Sequence, residues 1–304
     1  EEGVELRTNG ISLPIMVLNP AMQSWEIMVK HCLEPEIHHL QALKAFNTFL
    51  KNKKASTGSY PVHLKLNTGM NRLGFDQAEL PDLIAFLRKK THLEIKSILS
   101  HLSCAGITYE DEFTMMQIKQ FKIMCKEIEP HLEKTALKHI LNTDGIERHT
   151  KFQFDMVRLG IGIHGASKLA ILQNSLQPTT QLISKISAIR KVEIGAGIGY
   201  SKAGIAQKQS YIATLPIGYA DGFSRWLGKG NWQVEINGEL FPTIGDICMD
   251  LSMVDLGEKD FPIDTEVIIF GGKKSLFDFA AAQYTITYEA LTNIGKRVKR
   301  EIEY

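Results

Sequence analysis

Residues 62–69 have the sequence VHLKLNTG. This stretch is the best indication of the fold, because it joins a strand pattern directly to a polar turn. Apolar and polar side chains alternate from Val62 to Leu66, which predicts a β-strand, and the Asn-Thr-Gly sequence that follows predicts the turn that ends it. Apolar residues then recur at helical spacing over residues 80–87, and residues 95–99 predict the next strand. This order of strand, polar turn, helix and strand is typical of a parallel β/α unit.

The same order continues along the first half of the chain. Further strands are expected at residues 11–18, 138–141 and 156–163, and a second amphipathic helix at residues 115–128. Polar residues follow the strand ends, namely Lys65, Arg72, His101, Asn142, Thr143 and Arg158. Because side chains at the carboxyl ends of barrel strands face the active site, these residues are candidates for binding or catalysis. Ordinary loop positions are the alternative.

The pattern changes near residues 177–178. Strand-like runs and then one helical segment follow, at residues 184–194, 210–217, 233–236, 266–270 and 277–282. The Asn237-Gly238 pair between apolar runs predicts a β-hairpin. We therefore predict an α/β barrel domain over residues 1–178 and a mainly β domain over residues 179–304.

Composition excludes several classes of protein. The 304 residues include 35 Lys or Arg and 34 Asp or Glu, so the formal net charge of +1 gives no reason to expect nucleic acid or an anionic membrane as a partner. No apolar run approaches the roughly 18 residues of a membrane span. Four cysteines without a C-x-x-C pair favour a reducing cytoplasm. His101 and Cys104 lack a second pair of ligands, so we predict no metal site.

A glycine-rich loop, GAGIGY, occupies residues 195–200 of the β domain. It resembles a phosphate-binding glycine loop, but no helical pattern follows it, so a dinucleotide site is a weak interpretation. We expect the glycines to allow a tight loop that places Tyr200. A surface tyrosine without a task is the alternative.

Five motifs resemble the alanine racemase family, and they occur in the family's order. They are HLKLNTGMNRLGF at residues 63–75, MVRLGIGIHG at 156–165, GYS at 199–201, PIGYADG at 216–222 and GDICMD at 245–250. The resemblance implies a (β/α)8 TIM-type barrel that binds pyridoxal 5'-phosphate (PLP), followed by a β domain. It also implies a cytoplasmic homodimer with active sites at the subunit interface, which interconverts L-alanine and D-alanine for peptidoglycan by a two-base mechanism.

The resemblance implies roles for individual residues. Tyr200 matches a catalytic base that serves the partner subunit's site, His101 matches the histidine beside the cofactor ring, and Arg158 matches the arginine that faces the pyridine nitrogen. The substrate positions are Arg72, Met249 and Lys65, with Tyr219 and Asp250 in the access channel. Lys65 matches a lysine that is often carbamylated and then holds Arg72. The remaining cofactor-binding positions are Asn142, Thr143, Gly160, Ile161 and Lys296.

The chain departs from the family's pattern at several positions. Asn67 stands where many members have Asp, Thr143 where many have Ser, and Lys296 where many have Tyr. The family's lysine that carries PLP, in a KANAYGHG-like run, has no counterpart here, and residues 1–7 resemble the segment after the family's second strand. We therefore expect an incomplete barrel that lacks two strands and is inactive by itself. We expect it to belong to a longer racemase, and one form of such a protein is a racemase fused to a ligase.

Two further classes stay open. The first is another PLP enzyme of the same fold type, such as an amino-acid decarboxylase or a serine or lysine racemase, although the contexts of Tyr200 and Arg158 favour a racemase. The second is a non-catalytic remnant that serves as a scaffold, and its support is the absent lysine.

Overall fold

A computed structural model describes residues 1–53, 59–167, 169–173 and 175–302. The chain divides into two units, Glu1–Gly160 and Ile161–Tyr304, and each has its own apolar core. The division lies ahead of the predicted domain boundary at residue 178, which stays a prediction. Within the described ranges, no helix is both long and apolar enough to cross a bilayer.

The first unit alternates strands with helices, as the sequence predicts. Its elements are α1 (Glu2–Thr8), β1 (Ile15–Val17), α2 (Trp25–Lys30), β2 (Leu33–Ile37), α3 (Leu40–Lys53), β3 (Tyr60–Lys65), α4 (Leu80–Leu87), β4 (Leu93–Leu99), α5 (Asp111–Ile128), β5 (Leu137–His139) and α6 (Thr143–Arg148). The five strands form one parallel sheet in the order β1-β2-β3-β4-β5. Neighbouring strands in sequence are therefore neighbours in the sheet, as in a β/α barrel.

The two faces of this sheet differ in chemistry. One face is apolar and joins the core with the helices, for example Leu64 of β3 with Phe46 of α3 and Phe121 of α5. The other, which we call the polar face, carries the side chains of Glu34, Glu36, His63, Lys65, Ser97 and His139. All but Glu34 are less than 9% exposed. A face that buries so many polar groups must satisfy them internally, which concentrates hydrogen bonds there.

A bulge in β4 determines which side chains reach the polar face. Val62 pairs with Ile95, but the next residue of β3, His63, pairs with Ser97, so Lys96 is the extra residue. Strand side chains alternate between faces, so without the bulge Ser97 would share the apolar face with Ile95. The bulge turns Ser97 to the polar face.

The second unit is built mainly of antiparallel strands. Its elements are α7 (Ala170–Gln173), β6 (Leu182–Lys185), β7 (Ala188–Val192), β8 (Gly197–Ile198), β9 (Gly204–Ile205), β10 (Ser210–Leu215), β11 (Gln233–Ile236), β12 (Glu239–Pro242), β13 (Ser252–Gly257), β14 (Glu266–Phe270), α8 (Leu276–Ala282) and α9 (Thr287–Thr292). The described strands form sheets in the orders β13-β10-β7, β12-β11-β14-β6 and β8-β9. The fold class predicted from the sequence, a barrel-type sheet followed by a mainly β domain, is confirmed.

The predicted hairpin is confirmed. β11 and β12 pair in antiparallel register, and Asn237 and Gly238 connect them with φ values of 48° and 78°. Positive φ at both central residues is the requirement of a type I′ turn, which Asn-Gly meets best.

The strand predicted at residues 156–163 is wrong. Asp155 and Arg158 each donate one backbone hydrogen bond, to the carbonyl groups of Lys138 and Leu141, and a 3₁₀ turn follows at Ile161–His164. The carbonyl groups of His139 and Ile140, between these two acceptors, instead accept hydrogen bonds from the Arg158 guanidinium. The His139 carbonyl also accepts from the N–H of Ser100, which follows β4, so Ile140 is the acceptor that the Arg158 side chain takes from a ladder with this segment.

The strand predicted at residues 11–18 is also only partly correct. β1 covers Ile15–Val17 and pairs with β2 alone among the described strands. Leu13 and Leu18 are 72% and 57% exposed, so the apolar run is not a buried strand. A strand at the edge of a sheet lacks the second neighbour that would bury it.

Candidate active site on the polar face of the sheet

Arg158 is the central side chain of the candidate site. Its Nη1 donates a hydrogen bond to Nδ1 of His139 at 2.5 Å, and its Nη2 donates to Nδ1 of His101 at 3.3 Å and to the carbonyl oxygen of Ser100 at 2.6 Å. A guanidinium only donates hydrogen bonds, so both imidazole Nδ1 atoms are unprotonated. Arg158 Nε makes no hydrogen bond with the described residues, so its N–H is available to a ligand.

The imidazoles next to Arg158 are neutral. Burial lowers the pKa of His101 to about 4, and nearby cations act in the same direction; these are Arg158, Arg72 and Lys65. Burial and then Arg158 lower the pKa of His139 to about 3. Burial also lowers the pKa of Arg158 to about 10, which leaves its guanidinium charged at neutral pH. The site therefore has a fixed cation flanked by neutral hydrogen-bond acceptors.

These depressed pKa values predict a loss of stability in acid. Between about pH 6.5 and pH 4 the unfolded chain binds protons at His101 and His139 that the folded chain does not, so the free energy of unfolding falls as the pH falls. The expected slope is about 1.4 kcal/mol per pH unit for each imidazole. Urea unfolding of wild type and His139→Gln at pH 7 and pH 5 checks this. The variant should lose less stability between the two pH values, and equal losses would contradict the assignment.

Lys65 and Glu36 form a buried ion pair at the end of β3. Nζ lies 3.3 Å from Oε2, and the two side chains are 10% and 0% exposed. Glu36 Oε1 has no hydrogen-bond partner among the described residues, and the nearest ring nitrogen, Nδ1 of His38, is 3.7 Å away. Glu36 therefore supplies the anion that Lys65 needs in a buried position.

Arg72 shares a small pocket with Lys65 and His101. The Arg72 side chain is exposed and forms no hydrogen bond or ion pair with the part of the chain that is described. Two cations and a neutral imidazole around one pocket provide donors for an anionic group such as a carboxylate.

The loop that carries Arg72 is organised by Asn67. Its Oδ1 accepts a hydrogen bond from the N–H of Asn71 at 3.0 Å, and its Nδ2 donates to Oδ1 of Asp76 at 2.7 Å. Gly74 closes the loop with a φ of 130°, and a Cβ there would lie 2.4 Å from the backbone nitrogen of Asn67. Asn67 is therefore the suitable partner for the Asp76 carboxylate, because an aspartate at position 67 could not donate this hydrogen bond.

Replacing Asn67 by Asp is expected to destabilise the loop by about 1 kcal/mol, because a hydrogen bond becomes a repulsive contact between carboxylates. The KM for substrate should rise with it, since Arg72 lies in the loop. The double variant Asn67→Asp/Asp76→Asn restores one donor and one acceptor and should recover both properties. Asn71→Asp, which keeps its acceptor oxygen, is the matched control. Failure of the double variant to recover stability would contradict this account.

The predicted phosphate-binding residues lie at the end of β5. Asn142 Oδ1 accepts a hydrogen bond from the N–H of Gly145 at 3.1 Å and so caps α6. The buried Thr143 accepts one through Oγ1 from the N–H of Gly160 at 2.9 Å. The structure therefore brings Thr143 and Gly160 together, and Ile161 follows at the start of the second unit.

A second cluster of predicted residues lies in the second unit. The N–H of Tyr219 donates to the carbonyl group of Cys248 at 3.0 Å, and that of Ala220 donates to the carbonyl group of Met249 at 2.9 Å. These bonds hold Tyr219, Met249 and Asp250 in adjoining loops. The backbone N–H of Met249 makes no hydrogen bond with the described residues, so it can donate to a ligand.

Asp221 ties this cluster to the C-terminal segment. It is 1% exposed and accepts hydrogen bonds from Nε and Nη2 of Arg297, at 2.8 and 2.5 Å, and from the N–H of Gly218 at 3.0 Å. Lys296 precedes this arginine and is exposed beside the same loop. The bidentate pair is a link that the motif match did not predict.

Tyr200 lies on the hairpin formed by β8 and β9. It is 73% exposed and begins the 3₁₀ turn Tyr200–Lys202. The preceding Gly199 has a φ of 73°, and a Cβ there would lie 2.8 Å from Cε of Met253. A residue with a side chain would be strained and crowded at this position, so glycine is required to place the tyrosine.

Ten of the thirteen sequence-predicted site residues fall into two groups. The first unit brings together Lys65, Arg72, His101, Arg158, Thr143 and Gly160, and the second brings together Tyr219, Met249, Asp250 and Lys296. Reasoning from motifs missed Glu36, Ser97, His139 and the Asp221–Arg297 pair. A signal existed for Glu36, because the strand sequence LEPEI places acidic residues at alternate positions, whereas Ser97 gave none.

A β/α-barrel sheet with cations at its strand ends, followed by a β domain with tyrosines on its loops, defines the class of a two-domain barrel enzyme. The sequence model for "Alanine racemase, N-terminal domain" matches residues 1–168, and that for "Alanine racemase, C-terminal domain" matches residues 179–302. The chain belongs to the alanine racemase family.

Individual relatives agree with this assignment. The chain is 35% identical to an alanine racemase of Treponema denticola, over 99% of this chain and 81% of the relative. It is 32% identical to one of Halothermothrix orenii, over 99% and 80%. The solved alanine racemase of Clostridium difficile 630 superimposes with a TM-score of 0.89 at 32% identity, covering 98% of this chain and 78% of that structure.

Proposed function

We propose that the protein that contains this chain interconverts L-alanine and D-alanine with PLP as its cofactor, and so supplies D-alanine for peptidoglycan. The observation that carries the proposal is Arg158, a guanidinium held by neutral imidazoles, whose Nε–H has no hydrogen-bond partner in the described ranges. A donor-only, permanently charged group facing a pyridine nitrogen keeps that nitrogen unprotonated. This limits how much negative charge the cofactor ring withdraws from the substrate. It therefore favours return of a proton to the α-carbon over other reactions.

The predicted cofactor-binding residues fit PLP by their chemistry. Arg158 would face the ring nitrogen, His101 would lie beside the ring, and the Asn142, Thr143 and Gly160 group would bind the phosphate with Ile161 and Lys296. Bound PLP supplies the electron withdrawal that makes the α-proton of an amino acid acidic. The contributions of this chain are orientation and the charge distribution around that proton.

The proposed substrate is an amino acid held by its carboxylate. Arg72 has no partner among the described residues and shares a pocket with Lys65, which suits a bidentate interaction with a carboxylate. The Met249 N–H would add a hydrogen bond, and Tyr219 and Asp250 would line the access channel.

The two-base mechanism requires a proton acceptor on each side of the α-carbon. We propose Tyr200 as one of them, acting in the active site of a partner subunit of a homodimer. Its exposure on a hairpin supports a role outside its own unit's core. We also propose a cytoplasmic location, which agrees with the four free cysteines.

Incubation of the protein with PLP and L-alanine in D₂O tests this function. We expect optical rotation to disappear while deuterium enters the α-position of both enantiomers. Release of carbon dioxide would indicate the decarboxylase alternative, and faster reaction with serine or lysine would indicate a different racemase. No reaction with any of these amino acids would favour a non-catalytic scaffold.

Carbamylation of Lys65 stays a prediction, and the Glu36 pair opposes it. Carbamylation needs a neutral amine and creates an anion, which would then lie next to the Glu36 carboxylate at 3.3 Å. Glu36→Gln removes that charge, so we expect a larger carbamylated fraction in the variant than in wild type. Incorporation of ¹³C-bicarbonate, followed by ¹³C NMR, measures it. Full carbamylation of Lys65 in the wild-type protein would contradict the idea that the ion pair with Glu36 opposes this modification.

A further inference from the structure

A chain of hydrogen bonds crosses the polar face below the candidate site. Nε2 of His139 lies 2.9 Å from Oγ of Ser97, and Nδ1 of His63 lies 2.7 Å from the same hydroxyl oxygen. Nε2 of His63 lies 2.9 Å from Oε2 of Glu34. One serine hydroxyl on β4 thus joins imidazoles from the two neighbouring strands.

The two ends of this chain, Arg158 and Glu34, together set the direction of its bonds. Because the guanidinium donates to Nδ1 of His139, the proton of that neutral imidazole is on Nε2, and it is donated to the Ser97 oxygen. The hydroxyl of Ser97 has one proton to donate, and we assign it to Nδ1 of His63, because Nε2 of His63 faces the Glu34 carboxylate and is the donor there. His63 therefore carries its proton on Nε2 and donates it to the Glu34 carboxylate.

The two ends of the chain are the only fixed charges in it. Arg158 is a cation that cannot accept, and the Glu34 carboxylate is an anion that cannot donate. The side chains of Glu34 and His63 are 13% and 8% exposed, and Ser97 and His139 are 1% and 0% exposed. Because one end can only donate and the other can only accept, neutral members between them all donate toward Glu34.

We propose that Ser97, His63 and Glu34 are positioning residues for Arg158, acting through His139 as one directional hydrogen-bond chain. The chain fixes the plane of the guanidinium by holding Nη1, while Nε–H has no hydrogen-bond partner among the described residues. The role of this hydrogen-bond chain in catalysis rests on the proposed function, but the presence of the hydrogen-bond chain does not.

The tautomers of the histidines test the chain directly. In protein labelled with ¹⁵N-histidine, long-range proton–nitrogen correlation spectra report which ring nitrogen carries the proton. We expect both His63 and His139 to carry a proton on Nε2 and none on Nδ1. A proton on Nδ1 of either residue would overturn the proposal, whether or not the protein is a racemase.

Ser97→Ala tests whether the serine is the link. It leaves the His139 Nε2–H without an acceptor, so solvent exchange of the Arg158 Nη protons should accelerate roughly 2–10-fold, the effect of one lost neutral hydrogen bond. Ser97→Thr retains the hydroxyl and should retain slow exchange. Thr114→Val, which removes a buried hydroxyl of α5 that has no hydrogen-bond partner among the described residues, is the matched control.

Glu34 variants test the acidic end. Glu34→Ala removes the acceptor and should shift His63 toward a mixture of tautomers, whereas Glu34→Gln keeps an acceptor oxygen and should preserve the Nε2–H form. Unchanged His63 tautomers in Glu34→Ala, or unchanged Arg158 exchange in folded Ser97→Ala, would overturn the proposal. If Ser97→Ala does not fold, the wild-type tautomers still decide it.

Discussion

Replacing Tyr200 by phenylalanine is expected to lower alanine racemisation about 10²–10⁴-fold in both directions, the usual contribution of a positioned acid or base. The change deletes one hydroxyl from a side chain that is 73% exposed, so the fold should not change. Exchange of the α-proton with solvent should persist for the enantiomer whose proton the other base removes. Tyr284→Phe, at an equally exposed tyrosine of the same unit, is the control and should keep wild-type activity. Full activity of Tyr200→Phe would remove the two-base assignment.

The proposed action of Tyr200 across a dimer has its own signature. Dimers of Tyr200→Phe lack the base in both sites, and dimers of Arg72→Ala lack the proposed carboxylate ligand in both. In a mixed dimer, one site contains both defects and the other contains neither. Mixing the two inactive proteins should therefore restore activity. Absence of recovery despite demonstrated subunit exchange would contradict the cross-subunit geometry and leave the racemase assignment intact.

Replacing Phe279 by alanine is expected to lower the free energy of unfolding by about 3–5 kcal/mol, the cost of deleting a fully buried aromatic ring. Phe279 is 0% exposed, and its ring centre lies 4.7 Å from that of Phe270 and 5.4 Å from that of Trp232. It holds α8 against the four-stranded sheet of the second unit. Urea unfolding, followed by tryptophan fluorescence, measures the loss.

Phe277→Ala is the matched control because it removes the same ring from the same helix. Phe277 is only partly buried against that core, so its loss should cost less. Equal losses for the two variants would mean that the aromatic cluster around Phe279 is not the main support of α8.

Much of the fold could be predicted from local sequence because each element is locally consistent. The strand at residues 233–236, the Asn237-Gly238 turn and the helix near 277–282 each depend on periodicity or turn chemistry within a few residues. The motif residues of the candidate site could likewise be located, because long motifs fix their positions in the chain. Glu34 and Glu36 were missed, since two acidic residues and Pro35 weaken the apolar strand pattern of β2, although four of its five residues are buried.

By itself, the sequence determined the order of elements, the family and the residues at the strand ends, because these depend on neighbours along the chain. Only the tertiary structure decided which partners those residues contact. The segment around Arg158 has an apolar strand pattern, yet it makes single backbone hydrogen bonds at Asp155 and Arg158, and its guanidinium donates to the carbonyl groups of His139 and Ile140. A bulge at Lys96 turns Ser97 to the polar face, where it joins His63 and His139. Both outcomes arise because buried polar groups must find partners, and those partners lie on other strands, far away in sequence.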